Sequence, residues 1–152
     1  MNDKPRMPAW AKPVLQIAAI YNLVWGAAAI IFPNVIFRWA GMEIPNYPEL
    51  WQCIGMIVGV YGIGYWIAAY DPQRHWPIVL VGLLGKIFGP IGFAQALISG
   101  RFPAKMGMTI LTNDLIWWVP FAIILWATWK ASRADSNTAS MGRSKTQSPS
   151  GA

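Results

Sequence analysis

PIVLVGLLGKIFGPIGFAQALI, residues 77–98, decides the fold. It contains no acidic residue and a single basic one, Lys86. At 1.5 Å per residue it is long enough to cross the ~30 Å hydrocarbon layer of a bilayer. Three further stretches share this character, at 14–37, 49–70 and 108–129. Of the 152 residues, 55% are hydrophobic and only 12% charged, against about 25% charged in a soluble domain. No period-two alternation recurs, which argues against a transmembrane β-barrel. The expectation is an all-α, polytopic membrane protein, an antiparallel four-transmembrane-helix bundle whose short connections make successive helices neighbours.

The net charge of +6 raises the question of nucleic acid, but the basic residues lie dispersed at the ends of the apolar stretches. Membrane topology accounts for them better, and no nucleic-acid partner is expected. Lys4, Arg6, Lys12, Arg74, Lys130, Arg133, Arg143 and Lys145 fall on one side; Arg38, Arg101 and Lys105 fall on the other. Eight against three puts both termini in the cytoplasm, for a multi-pass protein of the cytoplasmic (inner) membrane. The first apolar run exceeds the h-region of a signal peptide and leads into further spans, so it reads as an uncleaved helix. Residues 1–13 read as a cytoplasmic lead-in, 14–129 as the membrane domain, and 130–152 as a disordered, basic and Ser-rich cytoplasmic tail.

Cys53 is the only cysteine and His75 the only histidine. That excludes an internal disulfide, a CxxC pair and a cysteine-rich metal site; no metal site and no cofactor is assigned. Cys53 is expected to be a small buried apolar residue, and His75 a solvated loop residue. Trp and Tyr mark both expected interfaces. Glycines recur on the second span (Gly55, Gly59, Gly62) and on the third (Gly82, Gly85, Gly89, Gly92), a spacing that lets helix backbones approach closely.

Lys86 lies nine residues beyond Pro77, ~14 Å into the hydrocarbon. A lysine there costs ~2.5–3.5 kcal/mol on insertion scales, so it needs a partner or a water cavity. Pro90 lacks the N–H that would bond the Lys86 carbonyl, and with Gly85 and Gly89 it predicts a helix kink. Asp114 is the only carboxylate deep within a span, at a depth a lysine side chain can reach. Asn113, Asn22 and Tyr61 fall in the same band. Trp25 follows Asn22 by three; Trp117 and Trp118 follow Asp114 by three and four, the spacing of one helix face. The expectation is a buried Lys86–Asp114 centre, supported by Asn22, Asn113 and Tyr61 and walled by Trp25, Trp117 and Trp118. A structural clasp that fixes helix register, a ligand site and a proton or ion pathway are all compatible with it.

YNLVWG (21–26), PNYPELWQCIGM (45–56), RHWPIVLVGLLGKIFGPIGF (74–93) and NDLIWWVPF (113–121) resemble a family of small bacterial four-helix membrane proteins, loosely DoxX-like in size and layout. The resemblance covers roughly residues 14–126 and implies the four-helix fold. Some members carry an alkyl hydroperoxide reductase label. Peroxidatic chemistry needs an accessible low-pKa thiolate, and Cys53 in apolar surroundings without a resolving cysteine does not supply one. The expected function is therefore non-enzymatic: a small membrane module that binds a ligand or partner, surrounded by membrane lipids, as a homo-oligomer or an accessory subunit of a membrane complex. The alternatives are a small transporter or proton-coupled carrier using Lys86 and Asp114, and then a quinone-linked redox protein.

Overall fold

The computed structural model describes residues 7–146. Among the described residues there are helices and turns and no strand. The order is α1 (Ala11–Ile31), α2 (Val35–Ala40), α3 (Pro48–Tyr70), α4 (Trp76–Ile98), a 3₁₀ turn (Ala104–Met106), α5 (Gly107–Ile110), a π turn (Leu111–Leu115) and α6 (Ile116–Thr146). Four helical stretches are long and apolar enough to cross a membrane: α1, α3, α4 and Ala104–Ala134. No more than 33% of the most apolar window of any of them is buried within the chain. Ile17, Val24, Val60, Phe88 and Val119 are each more than half exposed. Helices that are apolar all round and unburied have the length and composition a membrane protein requires.

Local chemistry explains where the helices stop. The stretch expected to run unbroken from 14 to 37 is divided at Phe32–Asn34. Pro33 has no N–H for the helical ladder and forces its predecessor out of the helical region; Phe32 sits at φ −125°, ψ 58°. The orphaned carbonyl of Ile30 accepts a hydrogen bond from Gln52 Nε2 at 2.8 Å, which ties the end of α1 to α3. Gly41 ends α2 at φ 74° and Gly100 follows α4 at φ 70°, backbone that L side chains rarely adopt. Pro48 occupies the first turn of α3, where its missing N–H costs nothing. Asp71 precedes Pro72, ends α3, and accepts the Arg74 N–H on its side chain at 3.0 Å.

The region expected to be a disordered tail from residue 130 begins instead as helix, since α6 continues to Thr146. A helix already nucleated by an apolar segment extends at little cost through Ala, Lys, Arg and Ser. Residues 1–6 of the lead-in and 147–152 of the tail lie outside the described residues.

α1 packs most extensively on α3, and α4 on the π turn and α6. Glycine makes the first contact possible. A Cβ on Gly26 would lie 2.5 Å from the Gly55 carbonyl oxygen and 3.0 Å from the Gly59 nitrogen. One on Gly55 would meet the Gly26 oxygen at 2.9 Å. The expected third-span stripe divides differently: Gly82 makes room for the Tyr65 ring and Gly89 faces Asp114, while Gly85 and Gly92 face open space. A second core joins α1, α3, α4 and α6 through Leu15, Ala18, Ala19, Tyr65, Val79, Phe121 and Ile124. Cys53 is exposed on α3, not buried as expected, because α1 takes the glycine face of that helix and leaves the Cys53 face uncovered.

Candidate functional site

The site is built on a defect in the last long helix. At Leu111–Leu115 the chain winds as a π turn, which disturbs the ordinary i→i−4 ladder. Side chains supply donors to its carbonyls. Lys86 Nζ, from α4, donates to the Asn113 carbonyl at 2.5 Å. Trp117 Nε1 donates to the Thr112 carbonyl at 3.1 Å, and Thr112 Oγ1 accepts from Tyr21 Oη of α1 at 3.0 Å. The defect thus draws in α1, α4 and α6.

The facing helix carries a matching defect. α4 continues through Pro90, and the Lys86 carbonyl that Pro90 leaves without its N–H accepts from Trp118 Nε1 at 2.9 Å. Lys86 therefore gives a hydrogen to the α6 side and receives one on its own carbonyl. Trp118→Phe keeps an aromatic ring, trims the indole to a phenyl group and removes that donor. It is expected to cost about 1–3 kcal/mol, measured as a lower midpoint of thermal unfolding in detergent; an unchanged midpoint would mean the indole does not serve the carbonyl.

Lys86 and Asp114 are 4% and 5% exposed, but they do not meet as the expected direct pair. The lysine nitrogen bonds the Asn113 main chain, while Asp114 Oδ1 accepts from Asn113 Nδ2 at 3.0 Å. Asp114 instead rests against α4 at Gly89, where a Cβ would lie 3.2 Å from Oδ2. The lysine nitrogen also lies 5.9 Å from the Tyr65 ring centroid and 5.8 Å from that of Trp117, within cation–π range.

Around these groups is a cavity of about 150 Å³, lined by Asn22, Ile57, Val58, Tyr61, Tyr65, Gly82, Gly85, Lys86, Asn113 and Asp114. Of the residues singled out from the sequence, Asn22, Tyr61, Lys86, Asn113 and Asp114 are brought together here, and Gly85 is added from the expected kink. Ile57 and Gly85 are exposed, so the cavity reaches the surface between α3 and α4. Two of its acceptors have no partner. Asn22 is 3% exposed and its Oδ1 is buried without a hydrogen bond, as is Asn113 Oδ1. The Asn113 amide is oriented by its bond to Asp114, which leaves its oxygen for the other side.

Three aromatic placements differ from expectation. Trp25 is not part of the wall: it packs edge-on against Trp51, with centroids 5.6 Å apart, and lines a separate apolar pocket with Phe32, Val35, Ile36 and Trp39. The break at Pro33 separates α2 from α1, and Val35, Ile36 and Trp39 of α2 line that pocket with Trp25. Trp117 and Trp118 serve the site as side-chain donors to main-chain carbonyls beside the cavity rather than as its lining. Tyr65 was missed. It is 1% exposed, packs on Phe121 at 5.1 Å between centroids, and lines the cavity beside Tyr61. Its spacing of four from Tyr61 was the available signal. Among the described residues no cluster of His, Cys, Asp or Glu could hold a metal ion. No family model matches the chain, and neither a curated protein nor a solved structure does.

Proposed function

We propose that the protein spans the bacterial cytoplasmic membrane as an antiparallel four-helix bundle with both termini in the cytoplasm, and that its polar centre binds a small molecule drawn from the bilayer. The charge distribution supports this orientation. Cation–aromatic contacts support the two interfaces: Lys130 over Trp126 at 3.7 Å and Arg133 over Trp129 at 3.9 Å near one end, Lys105 over Trp39 at 4.5 Å at the other. Long basic side chains that cover an indole keep their charge in the headgroup layer and their stems on apolar surface.

The observation that carries the binding reading is the cavity of about 150 Å³ lined by Asn22, Lys86, Asn113 and Asp114, two of which carry buried amide oxygens without a partner. An unsatisfied buried acceptor costs about 1–3 kcal/mol, and hydrocarbon offers no water to relieve it. A purely structural clasp would be closed on itself, and this one leaves acceptors over. The side opening at Ile57 and Gly85 gives a bilayer-dissolved molecule a way in. The test is an organic extract of protein purified in mild detergent, analysed by mass spectrometry beside Gly85→Leu, which adds a side chain to the cavity lining at a position where a Cβ meets nothing within 4 Å. One species near stoichiometric amount in the wild type and absent from the variant is expected. Identical extracts from both would refute the reading.

A further inference from the structure

A separate cavity of about 290 Å³ lies between α4 and α6, lined by Trp76, Leu80, Leu125, Thr128, Trp129 and Ser132. Its lining is graded along the helices. Leu80 follows Trp76 by four residues and Leu125 precedes Trp129 by four, so each leucine lies ~6 Å deeper in its apolar segment than the indole. Ser132 lies three residues beyond Trp129, ~4.5 Å further out. The wall is open to its surroundings: Trp76 and Trp129 are 42% and 50% exposed, and Ser132 and Arg133 are exposed as well. The Arg133 guanidinium stands over the Trp129 ring, 3.9 Å from its centroid, and puts a positive charge against that wall. The Thr128 and Ser132 hydroxyls donate to the Ile124 and Thr128 carbonyls, each at 3.0 Å, so their hydrogens are spent within α6.

We propose that this cavity holds an anionic phospholipid, with a stretch of acyl chain against Leu80 and Leu125 between the indoles and the phosphate group beside Arg133. Apolar residues below, indoles at the boundary and a cation above follow the order of an amphiphile crossing a membrane interface. The charge fits: the segments at this end carry eight basic residues against Asp3, Asp71 and Asp135. A basic pocket between helices on the cytoplasmic side suits an anionic headgroup. Other occupants fit less well. A helix from a second copy, about 10 Å across with its side chains, is too wide for this space. Free phosphate would find two leucines and two indoles, and a zwitterionic headgroup would bring its own cation to Arg133. The assignment rests on the reading that the helices span a membrane, and not on what fills the polar centre.

Dioleoyl phosphatidylglycerol and dioleoyl phosphatidylcholine share their chains and differ in headgroup charge. Each is titrated into the full-length protein in detergent, and bound lipid is counted by native mass spectrometry. The first phosphatidylglycerol is expected to bind roughly tenfold tighter than the first phosphatidylcholine, the discrimination of about one charge-assisted hydrogen bond. Arg133→Gln is expected to bring the two within about twofold of each other, by loss of the anionic lipid's advantage. Lys130→Gln removes the same charge from a side chain that stands over Trp126, outside the cavity lining, and is expected to keep the preference. Glycerol 3-phosphate, which has the charge and no chains, is expected not to compete. Equal affinity for the two lipids, binding of neither, or a preference that survives Arg133→Gln overturns the proposal. Equal losses in Arg133→Gln and Lys130→Gln overturn it too, since net charge and not this site would then be read. Competition by glycerol 3-phosphate overturns the lipid assignment. Alkaline washing of vesicles that hold the protein separates this failure from that of the membrane reading: protein that washes off overturns both, and protein that stays leaves the membrane reading standing.

Discussion

Gly26→Val is expected to force α1 away from α3 and to lower stability by about 3 kcal/mol or more. The reason is what the new atoms would strike. The Cβ alone would lie 2.5 Å from the Gly55 oxygen and 3.0 Å from the Gly59 nitrogen, which are main-chain atoms and cannot rotate aside. Accommodating valine means moving two helices that pack more extensively on each other than any other pair. The control lies across the same interface. A Cβ on Gly59 meets nothing within 4 Å, so Gly59→Ala should be neutral or slightly stabilising, because alanine favours helix over glycine by about 1 kcal/mol. Both are read as unfolding midpoints in one detergent. Equal losses at the two positions would mean that the α1–α3 approach differs from the one described.

Lys86→Met is expected to cost about 3 kcal/mol, and its rescue distinguishes two pictures of the polar centre. A simple ion pair would be relieved by neutralising the other partner, since removing both charges leaves nothing buried and unpaired. Here the lysine hydrogen goes to the Asn113 carbonyl, an acceptor no side-chain substitution removes. Asp114→Asn keeps an oxygen to accept from Asn113 and removes the charge. The double variant should therefore recover less than half of the loss, measured as a double-mutant cycle. Full recovery would show that the lysine answers the carboxylate and not the main chain.

Depth along a helix is legible in a sequence, because a rise of 1.5 Å per residue converts position into height. That is why Lys86, Asp114, Asn113, Asn22 and Tyr61 could be named as one band. The carbonyl freed by Pro90 could also be named, since the loss follows from covalent structure alone. Its partner could not. Trp118 was assigned to the site for its ring, and it acts through its N–H. Angular position around a helix is much less legible where a π turn intervenes, because the turn shifts every later side chain relative to a regular helix. Leu111–Leu115 carries no proline or glycine to announce it. Within that irregularity the lysine meets a carbonyl, that of Asn113, where the sequence suggests the carboxylate. Trp25 was misplaced for a related reason: Pro33 was visible inside the first apolar run, and its consequence, a separate α2 that lines an aromatic pocket with Trp25, depended on tertiary packing. Gly85 and Gly92 show the same limit, as a repeating glycine pattern does not say which members face a neighbour.

An occupied cavity and a closed clasp at the polar centre differ in the density they would show. The most direct measurement is an experimental density map of the protein purified with its native lipids. Density larger than a water molecule, in the space lined by Asn22, Tyr61, Lys86, Asn113 and Asp114, is the predicted result. A collapsed centre, with the Asn22 amide paired to Lys86 or Asn113 and no space between them, would contradict it.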